Sequence, residues 1–214
     1  FMAIVYVLGG LAIIFLHYDK VIPAVELICR SAFGLDAVVG GAIGTAIRYG
    51  VARGVFSNES GMGSAPIAAA AAKTDHPCRQ ALVSMTGTFL DTLVVCSITG
   101  IVLVIGGLYA TSGDTGAALT SHTFNDLLPG PGGWLVTFGL VFFAYSTILG
   151  WCYYGEKCAS YLGGEKAVPI YRVIYVVTVL LGAGVNLGLV WAAADVFNGL
   201  MAVPNLIALL LLSN

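Results

Sequence analysis

An all-α membrane fold with one discontinuous helix is what this sequence predicts, and three observations carry that expectation. The composition lies outside the water-soluble range: 58% of the 214 residues are hydrophobic and 9% are charged, against roughly 25% charged in an ordinary globular domain. With a mean hydropathy of +0.94, lipid is the expected solvent. The apolar residues are gathered into long runs, and at about 20 residues per crossing the chain has room for about six spans. One of those runs is interrupted in its middle by small polar residues, glycines, a carboxylate and a proline.

The same composition excludes several functions. Net charge is −2 and the nine basic residues are scattered, so there is no polybasic patch to hold nucleic acid. Five cysteines, Cys29, Cys78, Cys96, Cys152 and Cys158, show neither a CxxC nor a Cys/His pairing. They suggest no zinc site and no disulfide framework, and are expected to be packing residues, as free cysteines usually are. Neither HExxH nor GxSxG occurs, and no enzyme is expected.

Residues 1–18 read as the end of a transmembrane helix. They are apolar from Phe1 to Leu16, with no charged n-region or small-residue cleavage site, so they are no signal peptide. A span that begins without its flank is expected to continue a longer protein. The stretch 19–36 carries Lys20, Glu26 and Arg30, while Val21, Val25, Ile28 and Phe33 recur at helical spacing; it is predicted as an extracellular helix along the surface.

Residues 37–73 form a discontinuous transmembrane helix broken near 57–65. Then come a transmembrane helix over 80–110 that contains Asp91, and an extracellular loop over 111–132 rich in Gly, Pro, Ser and Thr. A transmembrane helix over 133–155 leads to a cytoplasmic loop over 156–168. Two further transmembrane helices, 169–190 and 192–213, have their turn marked by Asn186 and the group from Trp191 to Asp195. Lys73 and Arg79 in one connection, and Lys157, Lys166 and Arg172 in another, place both on the cytoplasmic side.

The interruption carries the chemistry. Bare amides and carbonyls cost several kcal/mol each in hydrocarbon, so a broken helix persists only where it lines a cavity or a ligand. Gly61 and Gly63 permit close approach and unusual dihedrals, and Pro66 suits the first turn of a restarting half-helix. The first half-helix would offer carbonyls and the second amides, so an amino acid zwitterion is the natural small ligand. A plain Gly/Pro kink, or a loop joining two short spans, is the other reading of the same pattern.

The stretch Arg53-Gly54-Val55-Phe56-Ser57-Asn58-Glu59-Ser60-Gly61-Met62-Gly63-Ser64-Ala65-Pro66-Ile67-Ala68 closely resembles the signature of the alanine or glycine:cation symporters. These are the sodium:alanine symporters of the amino acid/polyamine/organocation superfamily, whose usual form has Ala in place of Ser60. The match continues through His76-Pro77, the run from Phe143 to Trp151, Tyr153-Tyr154-Gly155-Glu156, and Ala194-Asp195 to Pro204-Asn205-Leu206-Ile207.

This resemblance implies an inverted-repeat fold like that of the bacterial leucine transporter, of which the chain would supply the C-terminal part, helices five to ten. N-terminal helices of the same protein would be missing. It further implies sodium-coupled symport of alanine or glycine by alternating access, in a multi-pass protein of the cell membrane surrounded by lipid.

Carried over by the resemblance, Ser146 and Thr147 fall where related transporters place two hydroxyls on sodium, a hard cation that takes oxygen ligands. Read alone, those hydroxyls bond the preceding helical turn. Trp151 lies about one turn further along the same face and would close the side-chain end of a pocket with room for little more than a methyl group; read alone, it is packing or an interfacial anchor.

Ser57, Gly61 and Met62 are the expected substrate contacts on the broken helix. Glu59 is expected to form a structural ion pair with Arg53 or Arg48. Asp91, among Thr86, Thr88, Thr92 and Ser97, either carries a proton or supports the broken helix. Asp195, with Asn198, is expected to cap a helix start. His17, His76 and His122 suggest no relay. The alternative function is a proton-coupled amino acid carrier using Asp91 or Glu59.

Overall fold

The computed structural model of the chain describes residues 2–33 and 42–212, and every regular element among them is a helix. Helix α1 (Met2–Leu16) meets α2 (Tyr18–Phe33) at His17, with a bend of 102°. The ring Nδ1 of His17 lies 3.1 Å from the Ile13 carbonyl, so the corner residue satisfies the last turn it terminates.

Helix α3 (Ala42–Asn58) is followed by the five-residue α4 (Ala65–Ala69). Helix α5 (Pro77–Gly106) widens to π-helix over Phe89–Cys96, the part that carries Asp91. One 3-10 turn (Leu108–Ala110) leads to α6 (Gly116–Leu127). Helices α7 (Pro131–Gly163), α8 (Ala167–Gly182) and α9 (Leu187–Leu211) complete the chain. Among the described residues α5, α7 and α9 are long and apolar enough to cross a membrane, and the bent α1–α2 pair makes a fourth if it counts as one span. Positions 34–36 of the expected surface helix and 37–41 of the expected interrupted helix lie outside the described residues.

The chain divides into two compact units, one of residues 1–51 and 88–145, the other of residues 52–87 and 146–214. In the first, α1, α2 and α6 pack on the Ser97–Gly106 portion of α5. Its core holds Tyr6, Ile13, Ile98, Val102, Phe124 and Val136. Tyr6 stacks on Phe124 with ring centroids 5.5 Å apart and shares a hydrogen bond of 2.8 Å with the Thr99 hydroxyl. Gly106 allows a close approach of α6, since a Cβ there would lie 2.5 Å from Thr123 Cγ2. In lipid, such small-residue contacts rather than water exclusion hold helices together.

In the second unit α7 and α8 are bound by three contacts. Arg172 forks onto Glu156, with Nη2 to Oε2 at 2.9 Å. The Tyr175 hydroxyl donates to the Ile148 carbonyl at 2.8 Å, and the Tyr171 ring lies so close over Gly155 that no Cβ fits there.

Several sequence expectations need correction. The 111–132 stretch is not simply a loop: Gly116–Leu127 is helical, with Thr123, Phe124 and Leu127 buried. Thr123 keeps its hydroxyl satisfied by donating to the Leu119 carbonyl at 2.7 Å, so its polarity does not oppose burial. Residues 156–163 continue α7 and end only at Gly164, whose φ of +70° stops the helix. The final turn falls at 183–186 rather than at Trp191 to Asp195, because Asn186 caps α9 by accepting from the Gly188 amide at 2.9 Å. All five cysteines are free, but four lie exposed and Cys152 is half-buried.

Candidate functional site

The interruption begins where α3 stops at Asn58 and ends where α4 starts at Ala65. Three left-handed residues turn the chain here: Glu59 at φ +55°, Gly61 at +79° and Gly63 at +84°. Glycine adopts this region without penalty and glutamate does not. Met62 between the two glycines and Ser64 after them are buried, 2% and 1% exposed, so the segment is packed into the protein.

Contacts from α9 hold the segment. Asn205 of α9 donates its side-chain amide to the Gly61 carbonyl at 3.0 Å, and a Cβ on Gly63 would lie 3.1 Å from Asn205 Oδ1. From α7, Tyr154 lies near the Glu59 carboxylate. Trp151 meets Tyr154 edge to face, with centroids 5.7 Å apart and planes at 75°. The predicted pocket residue Trp151 is thereby linked to the interruption through one intervening ring.

Arg53 does not pair with Glu59. Its guanidinium forks onto Asp195 of α9 at 2.9 and 3.4 Å and lies 3.9 Å from the centre of the Trp191 ring, which Phe56 meets edge-on. A planar fork suits a carboxylate and an indole face together, and Glu59 presents itself to α7 instead. Asp195 accordingly sits inside a helix and pairs across to α3 rather than capping. Arg48 lies among residues whose side chains are not described.

Ser146 and Thr147 stand exposed on α7, about one turn before Trp151. Their neighbour Ile148 is fixed by Tyr175. Two hydroxyls and the carbonyls beneath them are the oxygen donors a sodium ion accepts, but they form only part of a coordination shell. Ser57 is exposed and Gly61 half-buried.

Sequence reasoning gave no role to Asn205, Tyr154 or Ser64. Ser64 occupies the cap position of α4 in helical conformation, without a side-chain cap bond, and its buried hydroxyl has no protein partner among the described residues. The dipole expectation also changes. Helix α4 has five residues, too few aligned peptides for a strong macrodipole, so the main chain between Glu59 and Ser64 is what this end offers a ligand. A hollow of about 570 Å³ lies beside α4, lined by Pro66, Ile67, Ala70, Ala71, Tyr153 and Lys157; none of the predicted site residues lines it.

A family model described as the sodium:alanine symporter family matches residues 1–214. A protein of Methanococcus maripaludis named sodium/alanine symporter AgcS is 61% identical over all of this chain and 48% of its own length. The probable sodium/glutamine symporter GlnT of Bacillus subtilis is 37% identical over 99% of this chain and 45% of its own length. A sodium/proton-dependent alanine carrier protein of a Bacillus species is 34% identical, over 99% and 52%. The chain thus spans about half the length of the curated relatives it matches.

Proposed function

Because this chain belongs to the sodium:alanine symporter family, we propose that it takes part in sodium-coupled symport of alanine and glycine across the cell membrane. In this reading N-terminal helices of the same protein complete the carrier. The observation that carries this reading is the turn from Glu59 to Ser64, held by Asn205 in otherwise apolar helical sequence. Irregular main chain within a membrane is worth its cost only beside a cavity or a ligand.

In this reading the main chain at Gly61, with Ser57 and Met62, meets the zwitterion, and Trp151 limits its side chain. The Gly61 carbonyl accepts one bond from Asn205 and keeps a second lone pair for an ammonium. Ser146 and Thr147 would hold sodium with oxygens from elsewhere in the protein, which supplies fixed positive charge beside the substrate carboxylate. The helices would follow an inverted-repeat plan, with one bundle rocking against the other around the interruption.

Alanine binding to the purified full-length protein, with sodium and with potassium in its place, tests the proposal. Binding at least tenfold tighter in sodium is expected, and equal binding in both salts rejects it. One observation favours a second reading: one relative is named for both sodium and proton. A carrier that used Glu59 or Asp91 for protons would follow a pH gradient with sodium held equal on both sides.

A further inference from the structure

We propose that Arg53, Trp191 and Asp195 form a clamp that fastens the end of α3 to α9 and so aims the Gly61 carbonyl, which makes Arg53 and Asp195 positioning residues for the substrate ammonium. The clamp rests on the transport reading above and extends it to three side chains to which that reading gives no part.

One guanidinium makes two different contacts. Arg53 donates from Nη1 and Nη2 to the two carboxylate oxygens of Asp195, at 2.9 and 3.4 Å, and its central carbon lies 3.9 Å from the centre of the Trp191 ring. Phe56 meets the same indole edge-on, with centroids 5.8 Å apart and planes at 77°. Arg53 and Phe56 stand one turn apart on α3, as Trp191 and Asp195 do on α9, so one face of each helix supplies the whole contact. The side chains of the ion pair are 33% and 41% exposed, and charge attraction between groups that open to solvent adds little stability. What the fork and the stack fix is geometry, because a planar guanidinium that bonds both oxygens and covers an indole face has one orientation.

A second fastening lies further along the same two elements. The Gly61 carbonyl accepts from Asn205, ten residues beyond Asp195 and therefore about 15 Å along α9. Helix α9 thus runs beside the interrupted element from before the break to within it, and is attached at both places. Pro204 stands between the two attachments. It has no amide to give the Leu200 carbonyl, which weakens α9 just before Asn205. With both fastenings in place α3 cannot swing about the Asn205 contact, and the free lone pair of the Gly61 carbonyl keeps one direction. With the Arg53 fastening gone, the turn pivots on Asn205 and that direction is lost.

Two variants of the full-length protein test the clamp. Arg53→Lys keeps the charge and removes the fork and the planar stack. Arg53→Met with Asp195→Leu removes both charges together, so neither is left unpaired, and replacing a whole pair by apolar residues costs a protein little stability. The readout is alanine uptake resolved into KM and kcat, with the thermal midpoint in detergent measured alongside.

In both variants KM for alanine should rise at least fivefold while kcat stays within about twofold, the pattern of a lost binding geometry. The midpoint of the double variant should stay near that of the unaltered protein. An unchanged KM in Arg53→Lys overturns the clamp. So does a double variant with an unchanged KM, whether or not its kcat falls, since a purely structural pair or a gate would give that result. Should the double variant fail to fold, Arg53→Lys decides alone. Sodium dependence in the unaltered protein reports separately on the transport reading.

Discussion

Gly63 concentrates the constraints of the turn, since it combines a φ of +84° with a neighbour, Asn205, at 3.1–3.3 Å from any added Cβ. A left-handed backbone costs an ordinary residue about 1–2 kcal/mol, so Gly63→Ala should lower the thermal midpoint in detergent by several degrees. Gly54→Ala is the matched control. That residue lies within α3 with open space around it, and alanine favours a helix by up to about 1 kcal/mol, so its midpoint should hold or rise. Equal losses at both positions would contradict the description of the turn.

The glycine and proline pattern made this turn legible in the sequence. Its fastenings were not legible, because Asn205 reaches Gly61 across 144 positions and Arg53 reaches Asp195 across 142. Proximity along the chain suggested an Arg53–Glu59 pair, and the fold gave Arg53 its partner on α9 instead. Ser146 and Thr147 are the residues on which sodium coupling is proposed to depend. Replacing both with alanine should raise the sodium concentration for half-maximal alanine uptake more than tenfold, and an unaltered sodium dependence would remove them from the site.

At the level of elements, polarity misled where it was read as loop. Helix α7 has 33 residues, about 50 Å at 1.5 Å per residue, so it outruns a hydrocarbon core of about 30 Å. Its polar last turns can remain helical outside the lipid. The final turn was misplaced for the opposite reason: both sides of it are apolar, and Asn186 was the one cue to its position.

Helix α6 hid behind small and polar residues, and its entry is tied by a charge contact. Asp114 accepts from the His122 imidazole at 2.7 Å, and chiefly that bond, with help from the Ser112 hydroxyl, holds its carboxyl below the usual carboxylate range. A depressed carboxylate stabilises the fold above its unfolded pKa, about 3.9, and the gain is lost as pH falls through the lower folded value. The midpoint difference between the unaltered protein and Asp114→Asn should therefore hold from neutral pH to about 5 and shrink below about 3.9. A difference that persists at the acid end would contradict this assignment.

For the molecule as a whole, composition and apolar run length announced an all-helical membrane protein, and the family match extends over every residue of the chain. The site is less complete within it. The turn, its Asn205 clamp, the hydroxyl pair and the indole all belong to the unit formed by residues 52–87 and 146–214, while the chain spans about half the length of its relatives. Asp91 belongs to the other unit, on the π-helical stretch of α5. Substrate and ion selectivity are therefore proposed for a protein of its relatives' length. The most direct measurement is radiolabelled alanine uptake into proteoliposomes that contain it, under an imposed inward sodium gradient. Transient accumulation above equilibrium, lost when potassium replaces sodium, is the predicted result; uptake that is indifferent to sodium, or driven by a pH gradient alone, would contradict the account.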